Sequence, residues 1–151
     1  MFDNFDIRNI LMPVAFFFAD TSATLTNRTQ LKIFIESLFK KEGFKLASLT
    51  YVFCCDEYLL GINKSFLQHD FYTDIITFDL SESAKETTGE IYISIDRVKE
   101  NADTHNVSIK EELHRVIFHG ALHLCGYKDK SQGDALKMRA AEDSWLKKYF
   151  N

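Results

Sequence analysis

Apolar and polar positions along the chain follow two periods, first mainly that of strands and later that of helices. A short apolar run, Pro13-Val14-Ala15-Phe16-Phe17-Phe18, bounded by polar residues, reads as a buried strand, because so short a run suits a strand better than a helix. Thr26 or Asn27 then stands where a helix over Arg28–Glu42 would be capped. Leu31, Phe34, Ile35 and Leu38 keep helical spacing there, and Gly43 supplies the stop. Ala47–Cys55 is rich in strand formers, and Asp56 stands ready to cap a short helix over Glu57–Phe66. Ile75–Leu80 reads as a third strand, Ser81–Thr88 as a polar loop and Glu90–Ser94 as a fourth strand.

The rest is helical. Asp96–His105 makes a short helix, and Ser108 with Glu111 three residues later forms a capping box. Leu113, Val116, Ile117, Ala121, Leu122 and Leu124 then mark an apolar stripe that ends near Gly126. A closing helix spans Asp134–Phe150, with Leu136, Ala140, Trp145, Leu146 and Tyr149 at its spacing. Strands early and helices late predict an α/β or α+β fold, a mixed sheet of about four strands covered by helices. Strand order does not follow from the pattern.

Composition narrows the class. A chain of 151 residues without a linker or repeat, and with Pro13 as its single proline, is expected to form one domain over 1–151. Its formal net charge of -4 excludes a protein that coats nucleic acid through bulk charge, though not one that binds RNA at a specific site. Three cysteines, Cys54, Cys55 and Cys125, imply no disulfide framework and point to a reducing cytoplasm. Asp3 and Asp6 precede the first apolar run, which is too short to span a bilayer, so neither a basic leader nor a membrane is expected.

The chemically informative segment runs from His119 to Asp129. Histidines at i and i+4 stack on one helical face, where two imidazole nitrogens can reach one tetrahedral zinc. Gly126 suits a left-handed residue that ends the helix and doubles the chain back, so that Asp129 can approach the same point. Two nitrogens and a carboxylate oxygen, with a water in fourth place, would form an open catalytic site. The competing reading is a pair of histidines at the core edge, bonded to backbone or water. Gly120 occupies the position at which H-E-x-x-H proteases carry their general base, which argues against peptide cleavage. Cys125 reads as a small core residue rather than a fourth ligand.

The stretch H-G-A-L-H-L-C-G-Y-K-D, His119 to Asp129, resembles the H-G-x-L-H-L-x-G-Y-D-H signature of the YbeY family, metal-dependent single-strand-specific endoribonucleases and rRNA maturation factors of bacteria. Ile62-Asn63 followed by Asp70-Phe-Tyr-Thr73-Asp74-Ile-Ile-Thr-Phe78 resembles that family's L-N-x-x-Y-R-x-K-D-x-P-T-D-V-L-S-F stretch. Gly89-Glu90-Ile91-Tyr-Ile93-Ser94 is similar to its G-D-I-x-I-S strand, and Met138 with Glu142 to a recurrent M-x-x-x-E. The resemblance implies a metzincin-like zinc helix and one zinc ion held by His119, His123 and Asp129. It further implies action on single-stranded RNA at the 3′ end of 16S rRNA, in partnership with a ribosomal particle and not with DNA. The chain departs from the family pattern where Asp129 replaces the usual third histidine and Leu67 the usual arginine.

Further candidates follow from this frame. A cleft is expected between the zinc helix and the strand Glu90–Ser94, where a bound metal can polarise a phosphoryl oxygen or lower the pKa of its water. Lys64, Arg97 and Arg115 are candidates for steadying phosphate charge, and His69 for facing the cleft. Phe71 and Tyr72 are candidates for stacking on splayed bases. Thr73 and Asp74 read as a turn cap with Asn63 or Asp70, and His105 and His114 as structural or exposed. No residue stands out as general base. A zinc hydrolase of another substrate class and a metal-containing assembly factor without hydrolysis are the alternative functions.

Overall fold

The computed structural model of the chain describes residues 12–151. Strand β1 (Val14–Ala19) leads to helix α1 (Arg28–Lys41), β2 (Leu46–Cys54) to α2 (Asp56–Leu67), and β3 (Ile75–Asp79) to β4 (Thr87–Ser94). Helices α3 (Ile95–Thr104), α4 (Ile109–Leu124) and α5 (Gln132–Phe150) complete the described chain. The four strands form one mixed sheet in the order β1-β2-β4-β3, parallel except for the antiparallel pair β3 and β4. This is the α+β architecture expected, now with its strand order. Among the described residues no helix is long and apolar enough to cross a membrane.

Two elements differ from expectation. The first strand lies at the sheet edge, so alternation leaves Phe17 57% exposed, whereas Phe16 and Phe18 turn inward against Tyr51 and Phe53. Asp3 and Asp6, which precede that run, lie outside the described residues. The fourth strand begins at Thr87, inside the segment expected as loop, because the Thr87 N–H bonds the Lys45 carbonyl and Leu46 pairs with Thr87 across β2. Caps also differ. Asn27 precedes α1 in a left-handed conformation without a side-chain cap, and Asp56 is already helical, following Cys55 at the cap position. Ser108 caps α4 as expected, its hydroxyl accepting from the Glu111 N–H at 3.0 Å.

Tyr51, Phe53, Ile91 and Ile93 project from one face of the sheet into a core with Leu31, Ile35, Phe118 and Trp145. The buried Tyr51 hydroxyl donates to the Ile117 carbonyl at 2.8 Å, which ties the sheet to α4. On the opposite face Leu59 of α2 packs with Cys54 and Ile76. Helix and sheet approach closely at two glycines. A Cβ on Gly120 would lie 2.8 Å from Ile91 Cδ1, and one on Gly89 2.7 Å from Leu124 Cδ1. Their missing side chains set α4 down on β4, and this contact positions the site.

Candidate metal centre

Helix α4 carries His119 and His123 one turn apart on a single face, with ring centroids 4.5 Å apart and planes nearly perpendicular. Past Leu124 the chain reverses at Gly126, whose φ of 93° is left-handed, while the Tyr127 N–H closes back onto the Leu122 carbonyl at 3.1 Å. That reversal brings Asp129 Oδ2 to 3.1 Å from His123 Nε2 and 3.3 Å from His119 Nε2. Ligand atoms of all three residues lie within 4.8 Å of one another.

Hydrogen bonds on the far side of each ring set what it offers. His123 Nδ1 lies 3.0 Å from the Tyr127 carbonyl, which can only accept, so Nδ1 carries the proton. His119 Nδ1 donates to Glu142 Oε2 at 2.7 Å by the same logic. In its neutral form each ring therefore turns a bare Nε2 lone pair toward the Asp129 carboxylate. Three acceptors facing one another repel unless a proton or a cation lies among them, and a nitrogen, nitrogen, oxygen donor set suits zinc. Burial pulls the His119 pKa down, but the hydrogen bond and charge of Glu142, with Asp129 and Asp74, outweigh it and leave the pKa raised. The site holds an excess of negative charge.

Two outer contacts brace this geometry. Glu142, 5% exposed on α5, also accepts from Arg115 Nη1 at 3.0 Å, so one carboxylate fixes both the His119 ring and a partly buried guanidinium. In the sequence Glu142 is visible only as the end of a short motif; its bond to His119 joins two helices and has no local signal. The Tyr127 hydroxyl and Trp145 Nε1 both donate to Glu42, each at 3.2 Å to one of its oxygens, anchoring the turn to the end of α1.

The three residues line a cleft of about 590 Å³ whose other wall is the segment from Thr73 through β3 to Asp79. Its position corrects the expectation of a cleft against Glu90–Ser94. Because Gly120 lets α4 rest directly on Ile91, no space remains over β4, and the opening lies toward the edge strand. Among the described residues no lysine or arginine lines the cleft. The three cations expected to steady phosphate are taken up elsewhere: Lys64 pairs with Asp70, Arg97 with Asp56 and Glu100, and Arg115 with Glu142 and Asp143. Asp74 lines the cleft, and burial raises its pKa despite bonds from the backbone N–H groups of residues 74 and 75. Thr73 keeps a local turn contact, its hydroxyl donating to the Ile75 carbonyl at 3.3 Å.

The remaining candidates separate. His69 and Phe71 line a second, adjoining pocket, whereas Tyr72 donates its hydroxyl to Glu57 at 2.6 Å and lies beneath Arg97. His114 is 2% exposed and stacked on Tyr149, a structural role, and His105 closes α3 as its C-cap. Cys125 is 8% exposed with its thiol pushed by burial up to about 12, which fits a core residue and not a thiolate ligand.

Residues 18–150 match the family model described as Endoribonuclease YbeY. The chain is 50% identical over 133 residues to Endoribonuclease YbeY of Cytophaga hutchinsonii, covering 88% of this chain and 93% of that protein. It is 40% identical over 135 residues to the protein of the same name from Parabacteroides distasonis, covering 89% and 94%. The solution structure of TM1509 from Thermotoga maritima superposes with a TM-score of 0.65 at 25% identity, covering 91% of this chain and 89% of that one.

Proposed function

Because the chain belongs to the YbeY family of endoribonucleases, we propose that it cuts single-stranded RNA at a zinc ion held by His119, His123 and Asp129. The observation that carries this reading is the meeting of two bare imidazole nitrogens and a carboxylate in a cleft that, among the described residues, no lysine or arginine lines. Such a cleft, with Asp74, Asp79 and Asp129 on its walls, repels phosphate by itself. A bound divalent cation reverses that sign and supplies Lewis-acid polarisation of a phosphoryl oxygen or a water acidic enough to act near neutral pH.

The protein's own residues do the rest. Glu142 and the Tyr127 carbonyl hold the two imidazoles with Nε2 turned inward. The turn at Gly126 delivers Asp129. Asp74 shares the cleft wall with these donors. Peptide cleavage lacks support, because the position for its general base is Gly120, packed against Ile91.

The RNA we assign is the 3′ end of 16S rRNA, presented by a ribosomal particle in the cytoplasm. With a net charge of -4 and, among the described residues, no lysine or arginine in the cleft, the protein has little general attraction for free RNA. Elemental analysis and cleavage of a single-stranded oligoribonucleotide test the reading together. One zinc per chain is expected in the wild type, His123→Ala should lose both metal and cleavage, and Asp129→His should keep both. Cleavage by His123→Ala at the wild-type rate would overturn the reading.

A further inference from the structure

We propose that Phe71, stacked on His69 beside Leu67, forms a seat for one unpaired base of the RNA whose backbone enters the metal cleft. The proposal rests on the reading of that cleft as an RNA site. A shallow pocket of about 240 Å³ opens next to the cleft, lined in part by Leu67, His69, Phe71 and Ile76. Thr73, Ile75 and Thr77 line both cavities, so a chain lying across the edge strand touches the two in succession.

The aromatic pair faces solvent and yet is held in place. Phe71 is 56% exposed and Leu67 40%, while the rings of His69 and Phe71 lie 5.1 Å apart at 21°. Near-parallel rings with an open face are the geometry on which a nucleobase continues a stack. Asn63, only 2% exposed, restrains the loop from both sides: its carbonyl accepts from the His69 N–H at 3.1 Å and its amide donates to the Phe71 carbonyl at 2.9 Å. Lys64 adds an ion pair to Asp70 at 3.2 Å. A loop tied at three points presents an apolar face without a large ordering cost on binding.

Tyr72 does not share the role, since its hydroxyl and its ring already have partners in Glu57 and Arg97. Among the described residues neither cavity is lined by lysine or arginine. Grip on the strand beside the metal therefore comes from base stacking, which tolerates any sequence but requires an unpaired base. A duplex hides that face.

Steady-state cleavage by the zinc-loaded full chain tests the seat. Phe71→Ala should raise KM about tenfold with kcat within about twofold, and Phe71→Trp should restore KM. An abasic nucleotide walked along the substrate should reproduce the KM increase at one position in the wild type and add nothing in Phe71→Ala. A wild type that cleaves while Phe71→Ala leaves KM unchanged would discard the seat and leave the nuclease reading intact. A readout independent of cleavage is the fluorescence of Phe71→Trp titrated with a 2′-O-methyl oligonucleotide whose strand is verified intact after the titration, the single native tryptophan being 4% exposed. Saturable quenching that weakens with the abasic strand supports the seat even if the wild type cuts nothing. No quenching overturns it.

Discussion

His119 and Glu142, on different helices, are joined by a 2.7 Å hydrogen bond from Nδ1 to a carboxylate that is 5% exposed. The bond fixes the ring's tautomer as well as its angle. Replacing Glu142 by Gln keeps the volume but removes the charge and lets the ring choose either tautomer. Zinc affinity should fall about 10–100-fold. Competition with a chromophoric chelator measures it, and an unchanged affinity would show that the Glu142 contact does not tune the site.

Gly120 should resist even alanine. The added methyl would lie 2.8 Å from Ile91 Cδ1 and 3.0 Å from both Ile75 Cδ1 and Ile91 Cγ2, in a core where Ile91 is fully buried. Overpacking of this kind costs about 1–3 kcal/mol. Urea denaturation of Gly120→Ala should show a lower midpoint with an unchanged slope, and adding Ile91→Val should recover part of the loss. Equal midpoints for Gly120→Ala and wild type would contradict the close approach of α4 to the sheet.

His114 should make stability depend on pH below neutrality. Burial lowers its pKa from 6.5, its Nδ1 donates to the Lys110 carbonyl at 2.7 Å, and its Nε2 has no partner among the described residues. Well above pH 6.5 the ring is neutral in both states and adds no pH dependence. As pH falls below that value the unfolded chain takes up the proton first, so stability drops until the folded pKa is passed. Comparing urea midpoints at several pH values, the His114→Phe variant should show a shallower acid decline than wild type. Parallel profiles would remove His114 as a source of the decline.

The parts of the site that were legible in the sequence are those set by near neighbours. Helical periodicity alone puts His119 and His123 on one face, and Gly126 marks the reversal that returns Asp129. Ser108 and Glu111 announce the start of the helix that carries the pair. The expectation that Lys64, Arg97 and Arg115 face phosphate did not hold, because each finds a carboxylate: one six residues away in a loop, the others across helices. The cleft was expected over the wrong strand for a related reason. Gly120 was read for the proton-transfer group it lacks, whereas its main effect is to let a helix descend on Ile91.

By itself, then, the sequence determined the order of the elements, the mixed α and β class and the three convergent donors, since periodicity and backbone preference act over a few residues. Only the tertiary structure decided the strand order β1-β2-β4-β3, the opening of the cleft on the β3 side, the bracing of His119 by Glu142 and the exposed stack of His69 on Phe71. Most of these depend on residues far apart in the chain, brought together by burial of a shared core. The stack of His69 on Phe71 is local, but its place beside the cleft is set by the sheet edge. A local pattern shows that a face is apolar or a ring is available, but which partner it meets is settled when the core closes.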